Sequence, residues 1–269
     1  MLFRKRKHNL GFNLRTEFID EVLEYKPKVS YLEVIIDNWF TDGPHHQKLL
    51  KLREDYEILF HCVGMNLAGV DEINKPYLQK IQDLKLKFQP KHISDHLCFQ
   101  AFNGNYHHDL LPFALNKESF ARVSSRVNKV QDMLKEKILV ENLSYYLEFK
   151  NSNYSESFFL NELCETTGCK VLLDLNNILV NFYNLDIVPE QYVNEIDVVN
   201  IGQLHFSGAI KEDGFYIDTH SEDISKDQID LYNILRKKLS SFVPLIYERD
   251  ANFISIKNHL KNIKVLEKL

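Results

Sequence analysis

The chain has 269 residues, 44% hydrophobic and 26% charged, which is the composition of an ordinary globular protein and enough length for one α/β barrel. Its net charge of −5 argues against a nucleic-acid binder, which normally carries a surplus of Lys and Arg. No run approaches the ~18 apolar residues that span a bilayer. The basic stretch Met1 to Lys7 is interrupted by Asn9, Gly11 and Asn13 before any apolar signal-peptide region forms, so the expectation is a cytoplasmic protein. Cys62, Cys98, Cys164 and Cys169 make no CxxC pair and read as buried thiols.

In chain order, β-branched and apolar runs predict strands near Phe12 to Leu14, Tyr31 to Ile36, Glu57 to Val63, His92 to Leu97, Ile138 to Glu141, Val171 to Leu175, Val198 to His205 and Leu245 to Glu248. Between them, three- and four-residue spacing of apolar residues predicts helices such as Tyr77 to Leu86, Lys117 to Leu134, Ser157 to Thr166 and Ser225 to Leu239. No linker or low-complexity block divides the alternation, so residues 1–269 read as one domain. Eight strands alternating with helices imply a parallel sheet with right-handed crossovers, and a closed (β/α)₈ TIM barrel is the economical form; an open doubly wound sheet is the alternative.

Loop lengths favour the barrel. Connections entering strands are short, as at Glu54-Asp55, Gln89-Pro90 and Gly168-Cys169. Those leaving them read as long, at Cys98 to Asn116, Leu143 to Ser155, Asn176 to Val188 and Phe206 to Ser225. Long loops gathered at the C-terminal mouth of a barrel are where function sits.

The ends of the later strands carry His61, His96 beside Asp95, Glu141, Asp174, His205 and Glu248, and the loop after His205 adds Asp218 and His220. Asn176 and Asn177 follow Asp174. Taken singly, each histidine could be a satisfied core residue, and Asp174 or Glu141 could cap a helix or pair with an arginine. Barrel strand ends converge on one axis, however, and burying that many carboxylates together without a cation costs several kcal/mol per unpaired charge. A metal cluster removes the cost. Nitrogen and oxygen donors without thiolate suit Zn, Fe or Mn, and the number of ligands calls for two or three ions with Glu141 bridging. Asp95 and Asn142 are candidates to orient His96 and Glu141, and Arg249 to neutralise Asp250 or reach substrate. His45-His46 and His107-His108 read as loop doublets, while His8, His92 and His259 carry no signal. Aromatic residues Tyr145, Tyr146, Phe182 and Tyr183 either grip a substrate or pack within loops.

The segments Gly11-Phe12-Asn13-Leu14-Arg15, His61-Cys62-Val63-Gly64, Ser94-Asp95-His96-Leu97, Asp109-Leu110-Leu111-Pro112, Glu141-Asn142-Leu143-Ser144, Asp174-Leu175-Asn176-Asn177, Asp218-Thr219-His220 and Glu248-Arg249-Asp250, in this order, resemble the DUF692 family of multinuclear non-heme iron-dependent oxidative enzymes. That resemblance implies a xylose-isomerase-like barrel, related in layout to endonuclease IV. It implies two or three irons and oxygen as co-substrate, used to modify cysteine or other residues of a ribosomally made precursor peptide, commonly with a peptide-binding partner protein. It assigns His61, His96 and Glu141 to one metal, and Glu141, Asp174, His205 and Glu248 to a second. A third would rest on Asp218 and His220 near Asn177, where an endonuclease IV site has a histidine. The Glu-Asn usual after the second strand is Asp37-Asn38 here, preceded by Glu33, and Asn-Leu-Ser at Ser144 replaces Asn-Pro-Ser. Within the set, Glu141, Asp174 and His205 are the expected catalytic centre. The alternatives from other classes are a metal-dependent phosphodiesterase, a sugar isomerase on the same barrel, and a non-catalytic binding protein.

Overall fold

The computed structural model describes residues 9–185, 187–239, 242–252 and 255–268. The elements in order are β1 (Leu10–Asn13), α1 (Ile19–Tyr25), β2 (Tyr31–Ile35), α2 (Pro44–Arg53), β3 (Glu57–His61), α3 (Lys75–Phe88), β4 (Ile93–His96), β5 (Phe99–Phe102), β6 (Asn105–Leu111), α4 (Lys117–Leu134), β7 (Leu139–Glu141), α5 (Glu156–Thr167), β8 (Lys170–Asp174), α6 (Leu175–Leu185), α7 (Pro189–Glu195), β9 (Ile201–Phe206), β10 (Ile210–Glu212), β11 (Phe215–Ile217), α8 (Lys226–Leu235), β12 (Leu245–Tyr247) and α9 (Ile256–Glu267). Eight strands close a parallel barrel in the order β1-β12-β9-β8-β7-β4-β3-β2, while β5-β6 and β10-β11 form separate antiparallel hairpins. The barrel read from the alternation of strands and helices is the fold observed.

Local chemistry sets the element ends. In α4 an apolar stripe at Val123, Val127, Val130 and Leu134 is buried, and Asn116 with Ser119 makes a reciprocal capping box at its start. Ser155 and Ser225 cap α5 and α8 through their hydroxyls. Gly168, at φ +70°, ends α5 in the left-handed region and lets the chain turn straight into β8. All four cysteines are buried thiols, as expected, with the Cys164 and Cys169 sulfurs 3.7 Å apart between α5 and β8.

Alternation along the strands builds the barrel interior in layers. Tyr31, Leu59 and Ile246 form a small apolar cluster inside the barrel. Two residues further along the same three strands stand Glu33, His61 and Glu248, also buried. The interior thus changes from apolar to ionisable toward the C-terminal mouth. Strand register sets His96 beside Glu141 and Asp174 beside His205 as direct neighbours.

Three expectations are corrected. The segment Asn176 to Val188 is not a loop: α6 begins at once, because Asp174 Oδ1 accepts the Asn177 N–H at 2.8 Å and Ile178, Leu179 and Val180 turn inward to the core. His45 and His46 lie in the first turn of α2, where His46 is buried with Nε2 2.9 Å from the Trp39 carbonyl and Nδ1 2.7 Å from Asp42. His107 and His108 lie in β6 rather than in a loop. His8 lies outside the described residues.

Candidate metal centre

At the end of β3, His61 turns inward and its Nδ1 stands 2.9 Å from the Ser94 hydroxyl, which itself donates to the Phe60 carbonyl at 3.2 Å. With the Ser94 proton committed, its oxygen accepts from His61 Nδ1–H, leaving the Nε2 lone pair for another partner. That Nε2 is 3.3 Å from His96 Nε2 and 3.3 Å from Glu141 Oε2, and His96 Nε2 is 3.4 Å from the same oxygen. The three atoms form a nearly equilateral triangle. Ligands held at about 2.1 Å from one ion are separated by about 3.0–3.4 Å, so the triangle has the size of one face of a coordination sphere.

The other Glu141 oxygen points to a second focus. Oε1 lies 3.2 Å from His205 Nδ1, which is also 3.0 Å from Glu248 Oε2 and 4.0 Å from Asp174 Oδ2. On the far side of the His205 ring, Nε2 stands 2.8 Å from Glu33 Oε1, and Glu33 Oε2 accepts a hydrogen bond from Gln203. The same Nε2 stands 3.0 Å from the Gln203 amide nitrogen, so Nε2 faces Glu33 and Gln203 while Nδ1 faces Glu141 and Glu248, the side a cation would occupy. The strand-end residues single out Glu141 but miss Glu33, which lies two places before the end of β2. The signal for it was the inward alternation of β2.

The third focus lies under the loop after β11. His220, at φ +48°, sits in the left-handed region that non-glycine residues seldom occupy. Its Nε2 is 2.8 Å from Asp218 Oδ1, and its Nδ1 is 3.5 Å from Glu248 Oε2 and 3.3 Å from Asp250 Oδ2. Asp174, His220 and Glu248 bring one donor atom each within 4.8 Å of one another. The same closeness holds for His61, His96 and Glu141; for Glu141, Asp174 and His205; and for Glu33, His205 and Glu248. Asn177 lines the same cleft, with its N–H on Asp174, its amide NH₂ on the Asn142 carbonyl at 2.9 Å and its Oδ1 free.

A test of fit to a metal comes from the orphaned atoms. Glu33 Oε1, Glu141 Oε2, Asp174 Oδ2, Asn177 Oδ1, His205 Nδ1 and both His220 ring nitrogens are buried without a hydrogen bond at acceptable angles. Buried polar atoms are normally satisfied, so this convergence of lone pairs suits cations. Protons hold the metal-free cluster together electrostatically. Burial would raise the Glu141 carboxyl, but His205, His96 and His61 outweigh it and hold it at about 2. Burial opposes charge on His96 and His220, yet Glu141 raises the first to about 9 and Asp218 the second to about 10. Asp174 is pushed up to about 7 by burial and by Asp218 and Glu141.

Of the residues expected to orient the ligands, Asp95 engages His96 itself, while Asn142 takes other partners, and so does Arg249. Asn142 clamps the backbone of Asp174, donating to its carbonyl at 3.0 Å and accepting from its N–H at 2.8 Å, rather than holding the Glu141 side chain. Asp95 accepts the N–H groups of His96 and Met65 at 2.6 and 2.8 Å, while its carboxylate is 3.6 Å from His96 Nδ1. Arg249 is buried and points away from the cleft: it donates to Asp223 and the Tyr247 hydroxyl, and Arg15, not Arg249, pairs with Asp250. Tyr145 and Tyr146 line the cleft, whereas Phe182 and Tyr183 pack on each other and Tyr183 stacks on Tyr216.

The cleft over the three foci has a volume of about 580 Å³ and is walled by the segment Asp109 to Pro112 and the loop from Leu143 to Leu147. Among the described residues, no helix is long and apolar enough to cross a membrane.

Residues 9–269 match the family described as RiPP precursor modification enzyme MbnB/TglH/ChrH. A UPF0276 protein of Acaryochloris marina is 32% identical over 247 residues, covering 91% of this chain and 88% of its own. A UPF0276 protein of Psychromonas ingrahamii is 31% identical over 271 residues, covering 97% and 95%. Among solved structures, endonuclease IV from Thermus thermophilus superposes with a TM-score of 0.63 at 13% identity, over 97% of this chain and 99% of that one. A D-psicose 3-epimerase superposes at 0.59 and 13%, over 95% and 89%. At such identities the likeness is one of xylose-isomerase-like barrel fold.

Proposed function

Because the chain belongs to the RiPP precursor modification enzyme MbnB/TglH/ChrH family, we propose that it is a multinuclear iron oxidase that uses oxygen to modify a residue, cysteine foremost, of a ribosomally synthesised precursor peptide. It would work in the cytoplasm, with a partner protein presenting the peptide. The observation that carries the reading is one carboxylate, Glu141, with each oxygen in a different donor cluster beneath an open cleft. A hydrolase can use such a centre too, but the family's substrate is a peptide precursor.

In this reading His61, His96 and Glu141 hold one ion, Glu141, Asp174, His205 and Glu248 a second, and Asp218 with His220 and the Asn177 oxygen a third. Bound iron would supply the electrons and open coordination positions that oxygen chemistry needs. The protein supplies placement. Ser94 sets the ring orientation of His61, and Gln203 with the Glu33 carboxylate beside it sets that of His205. Asp174 does two jobs, capping α6 with Oδ1 while Oδ2 faces the cluster. Asn142 grips the Asp174 backbone on both sides and so holds that carboxylate in register. The Tyr146 hydroxyl accepts the Asp218 N–H at 3.2 Å and Ser144 donates to the Asp218 carboxylate at 3.3 Å, tying the cleft wall to the third focus. Leu111, Pro112, Leu143 and Leu147 shield the centre from bulk water.

The test is oxygen uptake by iron-loaded and zinc-loaded protein with cysteine-bearing peptides. The expected result is peptide-dependent oxygen consumption by the iron form only, with a mass change on the cysteine. Zinc-supported phosphodiester cleavage without oxygen use would move the protein to the hydrolase class.

A further inference from the structure

A second chamber of about 470 Å³ opens beside the metal cleft, and Pro112, Leu143, Tyr145 and Leu147 line both. The two are therefore neighbouring compartments separated by one wall, the loop that follows β7. Apolar residues such as Leu97, Phe113 and Tyr154 form much of the second chamber, and Leu147, Phe149 and Val188 at its rim are exposed. Its charged groups are all of one sign. Glu148, Glu156 and Glu195 line it, with no Lys, Arg or His among the described lining residues, and none of the three has a cationic partner among the described residues. Glu156 is the decisive one because it is buried at the start of α5, where its two oxygens accept from the Leu143 N–H at 3.2 Å and the Tyr192 hydroxyl at 2.9 Å. Both donors are neutral, so the carboxylate has hydrogen bonds but no counter-charge.

We propose that this chamber receives a lysine or arginine side chain of the substrate peptide, next to the residue held over the metal centre, and so sets which position of the peptide is modified. The inference rests on the peptide-modifying reading above. A long cationic side chain matches both features of the chamber: its methylene stem lies along the leucine and aromatic walls, and its head meets the carboxylates. A purely apolar side chain would leave Glu156 buried without compensation; an acidic one would meet three like charges. Burial pushes the Glu156 carboxyl up to about 7, and a cation beside it would bring it back down. Shared walls place the two side chains within a short stretch of one peptide.

The experiment has two arms, both on full-length metal-loaded protein. In the first, ligand-observed NMR compares n-pentylammonium with neutral 1-pentanol on wild type, Glu156→Gln and Glu195→Gln, with melting temperatures to confirm folding. The ammonium is expected to bind the wild type and to weaken about tenfold in Glu156→Gln. Glu195→Gln, on the exposed rim, gives a smaller loss and serves as the variant least able to disturb the fold. Equal binding of pentanol, or undiminished ammonium binding in both variants, overturns the proposal. In the second arm, alanine-based heptapeptides with a central cysteine carry lysine or norleucine at each other position in turn. Lysine is expected to tighten binding about tenfold over norleucine at one position only, and the gain to vanish in Glu156→Gln. An equal gain at every position would be attraction to the net charge alone and overturns it. Neither arm measures oxygen uptake, so failure of the oxidase reading leaves a binding result standing, and oxygen uptake without a lysine preference refutes the chamber alone.

Discussion

Replacing Glu141 with Gln removes one negative charge and leaves the side-chain volume almost unchanged. In the metal-free cluster the neighbouring histidines hold this carboxyl at about 2 against an ordinary 4.5, a net balance of roughly 3 kcal/mol in which their attraction outweighs the cost of burying the charge. An amide forfeits that attraction and is a weak metal donor. Because Oε2 completes the triangle with His61 and His96 while Oε1 faces His205, the loss reaches both foci. Even groups one step removed from a metal change its affinity by about 10–100-fold, so a shared ligand weakens each of two sites by at least that much. The assay is elemental analysis of wild type and Glu141→Gln equilibrated against the same chelator-buffered metal. Nearly two equivalents of metal should disappear together. Loss of one equivalent while the other stays at wild-type affinity would refute the bridge.

Other outcomes follow from the same geometry. Glu33→Gln is expected to weaken metal binding by about 10–100-fold without abolishing it, measured by chelator competition, because Glu33 faces His205 from the side away from the cleft; complete loss would make Glu33 a ligand and no loss would deny it an orienting role. Gly208→Ala should release the ion at His220 first, since a Cβ there would lie 2.4 Å from the Glu222 backbone and push on the loop carrying Asp218 and His220; unchanged metal content would contradict this. The Glu156 carboxyl is raised from 4.5 to about 7, so the stability it contributes is fully present below pH 4.5 and lost as pH rises through 7. Glu156→Gln does not titrate, so in urea unfolding of metal-free protein it should gain on the wild type by up to roughly 3 kcal/mol between pH 5 and 8. Parallel pH profiles for the two proteins would sink that assignment.

The barrel was legible because most buried strands are short apolar runs and several connections into strands are brief, as at Glu54-Asp55, Gln89-Pro90 and Gly168-Cys169, a pattern that depends on local sequence. Most of the candidate donors were legible for a related reason: an ionisable residue closing an apolar run stands out. Glu33 did not stand out, since it lies inside Tyr31–Ile35 and only the inward alternation of that strand marks it. Helix α6 was hidden by Asn176-Asn177, a turn-like pair that here follows an aspartate able to cap the helix. The partners of Asn142 and Arg249 were unreadable because they are set by tertiary contacts, with Asp174 from another strand and Asp223 from a distant loop.

A carboxylate-bridged cluster of redox metal is what the proposed chemistry requires. Its most direct measurement is the metal content and Mössbauer spectrum of protein purified without oxygen from cells grown on ⁵⁷Fe. Two or three irons per chain are expected, with a magnetically coupled pair in the oxidised sample. A single ion per chain, or zinc alone with no uptake of oxygen, would contradict it.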